Sequence, residues 1–355
     1  MSRFLSERLK SLEPYTPGEQ PQILNLIKLN TNESPFPPSN KAVEYSAAEA
    51  EKLQLYPDPE CKKLTEKIAE LVGVEPSEVL VTNGSDEILN FAFMAYCDTE
   101  NGAAFPDITY GFYKVFAELG NVPYTEIALT DSLEINLDEY KDIGKTIFIA
   151  NPNAPTGIFI EPEEIEKVIK SNPDKVVVVD EAYVDFGGKS CIPLIKKYEN
   201  LLVTQTFSKS RSMAGARLGF GVGCKALIQD LNTIKYSTNP YNINRMTMAA
   251  GLGVLSDEEY TKANCKTICE NREYTQNALR EMGFEVTESK ANFIFAKHPK
   301  VSGEKIYQGL RERKILVRHF SADRICEYNR ITVGTREQMD ALLVATAEIL
   351  KEELK

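Results

Sequence analysis

Residues 204–223 read TQTFSKSRSMAGARLGFGVG, and they place Lys209 directly after Ser208, near Thr206, with Arg217 eight positions on. A lysine amine can form an imine with an aldehyde. Two hydroxyls and a guanidinium close by can hold a phosphate. Taken alone, the stretch reads more readily as a surface lysine in a serine-rich loop.

Other clusters add to it. Asp180 ends the run KVVVVD and opens DEAY, which also holds Tyr183. NGSDE, with Gly84 and Ser85, stands at a strand-to-helix turn, where exposed amides attract phosphate. Tyr110 lies in PDITYGFY. Singly, the aspartate could be a helix cap or metal ligand, the tyrosines packing residues, and NGSDE an ordinary capped helix. Together they suit pyridoxal 5′-phosphate (PLP): Lys209 for its aldehyde, an acid for its ring nitrogen, a phenol for its phenolic oxygen, Tyr110 to stack on the ring, and a phosphate cradle.

These clusters must be positioned by something. GAAF, VPYTEIAL, KTIFIA, KVVVVD, LLVTQTF and RLGFGVG are apolar runs of strand length, and helical segments over 110–120, 162–171 and 191–198 separate several of them. TIFI and VVVV lack polar alternation, so both faces should be buried. The expected fold is α/β, a mostly parallel sheet flanked by helices, with a smaller α+β domain. In such sheets ligands gather at the carboxyl ends of the strands, where NGSDE, NPNAPTG, DEAY and TFSKS all fall. Ser85 or Asn83 is the expected cap of the helix after NGSDE. The amino-terminal segment should carry a short helix over 3–12, then an extended Pro-rich stretch. The division expected is a large domain over 30–245 and a small one built from 1–29 and 246–355, the latter with strands FEVTES, NFIFAKH, ILVRHF and RITVGT.

With 355 residues the chain can bury a sizeable core. Its 41 Lys and Arg against 52 Asp and Glu give a net charge of −11, a poor match for nucleic acid or an anionic membrane surface. An anionic ligand must therefore be caught by local arginines or helix ends. The seven cysteines are scattered without a zinc spacing, which argues against a metal and suits free thiols in a reducing cytoplasm. No stretch reads as a signal peptide or membrane span.

The ordered set NGSDE, PDITYGFY, NPNAPTG, DEAYVDF, TFSKS…AGARLGFGVG and RITVGT resembles the fold-type-I PLP enzymes of the aspartate aminotransferase superfamily, class I/II. Within it the chain is most similar to the histidinol-phosphate aminotransferases, through KLNTNESPFPPS and LYPDP near the start and ILVRHF and RITVGTREQ near the end. The resemblance implies that Lys209 forms the imine and shuttles the proton, that Asp180 pairs with the pyridine nitrogen, and that Tyr183 meets the phenolic oxygen. It implies that Tyr110 stacks on the ring, and that Gly84, Ser85, Thr206, Ser208 and Arg217 hold the phosphate. Tyr56 would reach the cofactor phosphate of a neighbouring subunit, making the active unit a homodimer. Arg330 would clamp the substrate's anionic end, helped by Arg318 and Tyr15. One position departs: the family's usual asparagine before PTG is Ala154 here. Asn151 or Asn153 could substitute, although adjacent residues on an extended chain point oppositely.

The activity implied is transamination in histidine biosynthesis, between L-histidinol phosphate, a phosphorylated amino alcohol, and 2-oxoglutarate, giving imidazole acetol phosphate and glutamate. The substrate's phosphate would use the site that takes glutamate's carboxylate. A threonine-phosphate decarboxylase and a broader aromatic or branched-chain aminotransferase are the neighbouring readings. The PLP-binding half of a transcription factor would need a basic DNA-binding domain, and only about thirty residues precede KLNTNES.

Overall fold

The structure, a computed structural model, describes residues 3–6, 9–10, 12–21 and 24–355. The helix expected over 3–12 takes in residues 7, 8 and 11, which lie outside the described residues. In chain order the first part holds β1 (Ile27–Lys28), α1 (Asn40–Ala50), α2 (Lys62–Val72), β2 (Val79–Thr82), α3 (Ser85–Tyr96), β3 (Ala103–Pro106), α4 (Phe112–Gly120) and β4 (Tyr124–Ile127). Next come β5 (Thr146–Ala150), α5 (Pro162–Ser171), β6 (Val177–Asp180), β7 (Leu201–Thr206), β8 (Gly219–Gly223), α6 (Lys225–Thr238) and α7 (Arg245–Leu255). The last part holds α8 (Glu258–Glu281), β9 (Glu285–Val286), β10 (Phe293–Lys297), α9 (Gly303–Glu312), β11 (Ile315–Leu316), β12 (Arg318–His319), β13 (Asn329–Thr332) and α10 (Arg336–Glu353).

Seven strands form the central sheet in the order β2-β8-β7-β6-β5-β3-β4. The run from β7 to β4 is parallel. Only β8 is antiparallel, to β7 on one side and β2 on the other, so β2 points the same way as the parallel set. The carboxyl ends of six strands therefore share one edge. Alternation explains the unbroken apolar runs. Ile147, Ile149, Val177 and Val179 enter one core with α2, α5 and α7, while Phe148, Val178 and Leu202 enter another with α3, α4 and α6. Each such side chain contributes roughly 1.5–3 kcal/mol by leaving water. Ile165, Val168 and Ile169 of α5, at i, i+3 and i+4, show how one helical stripe meets the sheet.

The β8 sequence GFGVG has a packing reason. A Cβ on Gly219 would collide with the Ser85 amide nitrogen, and one on Gly221 would stand 2.9 Å from Ile88. The bare strand lets α3 lie close to the sheet, with its first turn at the strand-end edge.

The second unit has a four-stranded antiparallel sheet, β12-β13-β10-β9, packed against α8, α9 and α10. ILVRHF is not one strand. Ile315–Leu316 pairs in parallel with β1, and after Val317 the chain turns so that Arg318–His319 pairs with β13. FEVTES is ordered as strand only at Glu285–Val286. α7 buries Ala250, Val254 and Leu255 in the core of the large sheet, although it falls beyond residue 245. Residues 191–198 hold a 3₁₀ turn over Ile192–Lys196 in place of an α-helix. Among the described residues no helix is long and apolar enough to cross a membrane.

Candidate active site

At the shared strand edge a cavity of about 380 Å³ opens between the two units. Lys209, Tyr183, Tyr110, Tyr15, Arg318, Arg330 and Ala154 line it. Lys209 follows β7 by three residues. Its Nζ donates to the Thr31 carbonyl at 3.3 Å and stands 5.9 Å from the Tyr183 ring centre. Burial pulls its pKa down to about 8, and the Arg330 charge pushes the same way. An amine in that range is partly neutral at physiological pH, as a nucleophile must be.

Asp180, at the end of β6, is buried. It accepts from the Tyr113 hydroxyl at 3.0 Å and from the Ala182 N–H at 3.2 Å. Burial raises its pKa to about 7. Among the described residues no cation forms an ion pair with this carboxyl, and a protonated ring nitrogen is a cation of the right shape.

The cradle beside it draws on three elements. Thr206 and Ser208 are buried and their hydroxyls stand 3.0 Å apart. Arg217 donates to Ser208 Oγ at 3.3 Å and to Asp86 Oδ2 at 2.9 Å. Asp86 also accepts from the Tyr110 hydroxyl at 2.7 Å. Gly84 caps α3 with φ +78°, and a Cβ there would stand 2.7 Å from Arg217 Nη2. Neither Ser85 nor Asn83 is the cap: Ser85 is the first helical residue, and no side chain closes the turn. The Gly84 N–H is spent on the Thr82 carbonyl at 2.9 Å, so the amides of the first turn of α3, with two hydroxyls and a guanidinium, fit a phosphate.

Across the cavity, Arg318 and Arg330 stand opposite each other in the β12–β13 register. Arg330 donates to the Asn30 carbonyl at 3.1 Å and faces the Phe293 and Phe320 rings at 5.4 and 5.9 Å. Among the described residues its buried Nε has no hydrogen-bond partner, and burial lowers its pKa. Among the described residues no carboxylate pairs with either arginine. Two facing guanidinium groups with spare donors suit a dianion. Tyr15 closes this end, stacked on Phe112 at 4.3 Å and tilted 54° to Tyr110 at 6.5 Å.

Tyr56 is elsewhere. It is 79% exposed, stacks on Tyr241 at 4.6 Å, and does not line the cavity of its own chain. At Ala154 both substitutes are committed. Asn151 exchanges two bonds with the Ile160 backbone, each 2.8 Å. Asn153 holds the Ile108 carbonyl at 3.0 Å and the Thr109 hydroxyl at 2.8 Å. Sequence reasoning missed Asp86, Tyr113 and Asn32. Asp86 lies inside NGSDE and Tyr113 three residues after Tyr110, so both were within reach. Asn32 lies in KLNTNES, which carries no chemical signal of its own.

The pattern of the family "Aminotransferase class I and II" matches residues 25–345. The chain belongs to that family. A class I and II aminotransferase 47% identical over 354 residues is a histidinol-phosphate aminotransferase of Brachyspira hyodysenteriae, with 99% of this chain and 100% of the relative covered. Among solved structures, a putative histidinol-phosphate aminotransferase of Erwinia carotovora atroseptica superposes with a TM-score of 0.86 at 27% identity, covering 92% of this chain and 97% of that one. A histidinol-phosphate aminotransferase of Sinorhizobium meliloti, in complex with pyridoxal 5′-phosphate, shares the fold at a TM-score of 0.84 and 22% identity, covering 92% of this chain and 91% of that one.

Proposed function

We propose that this aminotransferase moves the amino group of L-histidinol phosphate to 2-oxoglutarate, giving imidazole acetol phosphate and L-glutamate in histidine biosynthesis, with PLP as cofactor. The observation that carries the substrate is the Arg318–Arg330 pair, across the same cavity from Lys209. A dianionic phosphate satisfies both guanidinium groups, and a carboxylate of glutamate uses the same place. The names of the close relatives support the same substrate. They do not favour threonine-phosphate decarboxylation.

Bound PLP supplies an electron sink for the carbanion formed when the substrate Cα loses its proton. The chain supplies the rest. Lys209 would hold the cofactor through its amine and would carry the proton taken from the substrate Cα. Asp180 would keep the ring nitrogen protonated, Tyr183 would donate to the phenolic oxygen, and Tyr110 would stack on the ring. Gly84, Ser85, Thr206, Ser208 and Arg217 take the phosphate. Arg330, with Arg318 and Tyr15, takes the substrate anion.

The active unit is a cytoplasmic homodimer in this reading. Leu53, Leu55 and Tyr56 stand 59, 57 and 79% exposed in one short stretch, an apolar surface that a second copy would cover. The chain divides into a large PLP domain and a small domain built from both ends, a division supported by the β1–β11 pairing, with α7 kept on the large side.

The test is spectral. Purified protein has a visible absorbance band that Lys209→Ala removes, and histidinol phosphate converts that band in a single turnover without 2-oxoglutarate. Conversion by phenylalanine but not by histidinol phosphate would overturn the substrate. Release of CO₂ from O-phosphothreonine would support the decarboxylase instead.

A further inference from the structure

With Ala154 in place of an amide, and with Asn151 and Asn153 committed elsewhere, the Tyr183 phenol lines the cavity and receives no amide from positions 151, 153 or 154. Its other side is filled. Asn32 Nδ2 donates to the Tyr183 hydroxyl oxygen at 2.9 Å, and both residues are buried. Thr332 fixes the sense of this bond. Its hydroxyl accepts from the Asn32 backbone N–H at 2.9 Å and gives its proton to Asn32 Oδ1 at 3.1 Å. A flipped amide would make the Thr332 hydroxyl accept twice and lose the partner for its own proton, and would draw the Tyr183 proton toward Oδ1. In the bonded arrangement the amide uses the acceptor side of the phenol, and the phenol's one proton is left for the cavity.

The amide is held from several sides. Asn32 has φ +56°, a conformation asparagine tolerates better than most residues. Its carbonyl accepts from Asn292 at 3.0 Å. The two preceding carbonyls accept from Arg330 and Lys209, so one three-residue stretch touches the anion clamp, the amine and the phenol in turn. Thr332 lies two residues after Arg330 on β13, on the same face of the strand.

We propose that Asn32 is a positioning residue for Tyr183: its amide occupies the phenol's acceptor side and turns the phenolic proton toward the cofactor's phenolic oxygen, a role the missing amide at Ala154 cannot share. This rests on the PLP reading above.

The test is the pH titration of the Lys209-dependent absorbance band in the holoenzyme. A hydrogen bond donated to the cofactor's phenolic oxygen favours its anionic form, so weakening the bond moves the titration midpoint upward. Asn32→Ala is expected to raise the midpoint by roughly half to one pH unit, and Tyr183→Phe by more. The double variant should go no further than Tyr183→Phe, since Asn32 acts through that phenol. Thr332→Val, which frees the amide to turn, should shift it the same way by less, and it stands in if Asn32→Ala does not fold. Adding Ala154→Asn to Asn32→Ala should bring the midpoint back. Unmoved midpoints in Asn32→Ala and Thr332→Val, or shifts that add to that of Tyr183→Phe, overturn the proposal. A wild-type protein with no Lys209-dependent band overturns the cofactor reading itself, and this role with it.

Discussion

Asp180 gives the sharpest quantitative expectation, because without its cofactor it is a cost to the fold. Burial moves the carboxyl from 3.8 to about 7. Below about pH 4 the folded and unfolded states both carry the proton, and Asp180 costs little. Between about pH 4 and 7 the unfolded chain ionises while the folded one stays protonated, so stability falls by about 1.4 kcal/mol per pH unit. Above about pH 7 both are ionised and the deficit levels off, on the order of 4 kcal/mol. Asp180→Asn removes the charge and keeps a carbonyl that can accept from Tyr113, while its new NH₂ group stands where an oxygen accepted from the Ala182 N–H, which offsets roughly 1–2 kcal/mol. Cofactor-free Asp180→Asn should therefore trail wild type by about 1 kcal/mol near pH 4 and exceed it by roughly 2–3 kcal/mol near pH 8. Urea midpoints at the two pH values, on protein stripped of cofactor by a carbonyl-trapping amine, measure it. With PLP restored the order should reverse, since only the carboxylate pairs with a protonated ring nitrogen. A variant with no advantage at the higher pH, or with the same advantage at both, would refute the reasoning.

Arg330→Ala should raise KM for histidinol phosphate and for glutamate together, by roughly 10- to 100-fold for each charged hydrogen bond removed. A rise confined to one substrate would break the shared anion site. Gly84→Ala forces a side chain into φ +78° and to within 2.7 Å of the Arg217 guanidinium. It should weaken PLP binding by roughly 10-fold or more, read by equilibrium titration of the cofactor-free protein. Lys209→Ala and Tyr56→Ala subunits, each poorly active or inactive alone, should recover activity on mixing if Tyr56 serves the neighbour's site. No recovery in a confirmed mixed dimer counts against that placement.

The sheet was legible for a simple reason. Ile147–Ile149 and Val177–Val179 are buried on both faces, so no polar alternation interrupts them, and strand ends are where loops can carry polar side chains. Arg318 and Arg330 were legible as neighbours because two short strands in a small sheet tend to pair. The breaking of ILVRHF was not, since the switch at Val317 depends on β1, almost three hundred residues earlier. Nor was the bare cap at Gly84, where packing on β8 and Arg217 overrides the usual preference for a capping hydroxyl or amide. Asn32 lay beyond reach for the same cause. Its partners, Tyr183 and Thr332, are 151 and 300 positions away, and asparagine in a Pro-rich loop looks like any turn residue.

The glycines of β8 also say where inherited damage would hide. Gly219 touches no proposed ligand of the cofactor through a side chain, yet the Ser85 amide rests against it. A methyl group added there would lift the start of α3 and with it the phosphate cradle. Such an allele would sit in a buried strand and resemble a folding defect, while growth with excess vitamin B6 would partly rescue it. Tolerance to mutation in this chain is thus set as much by what a helix leans on as by what the cofactor touches.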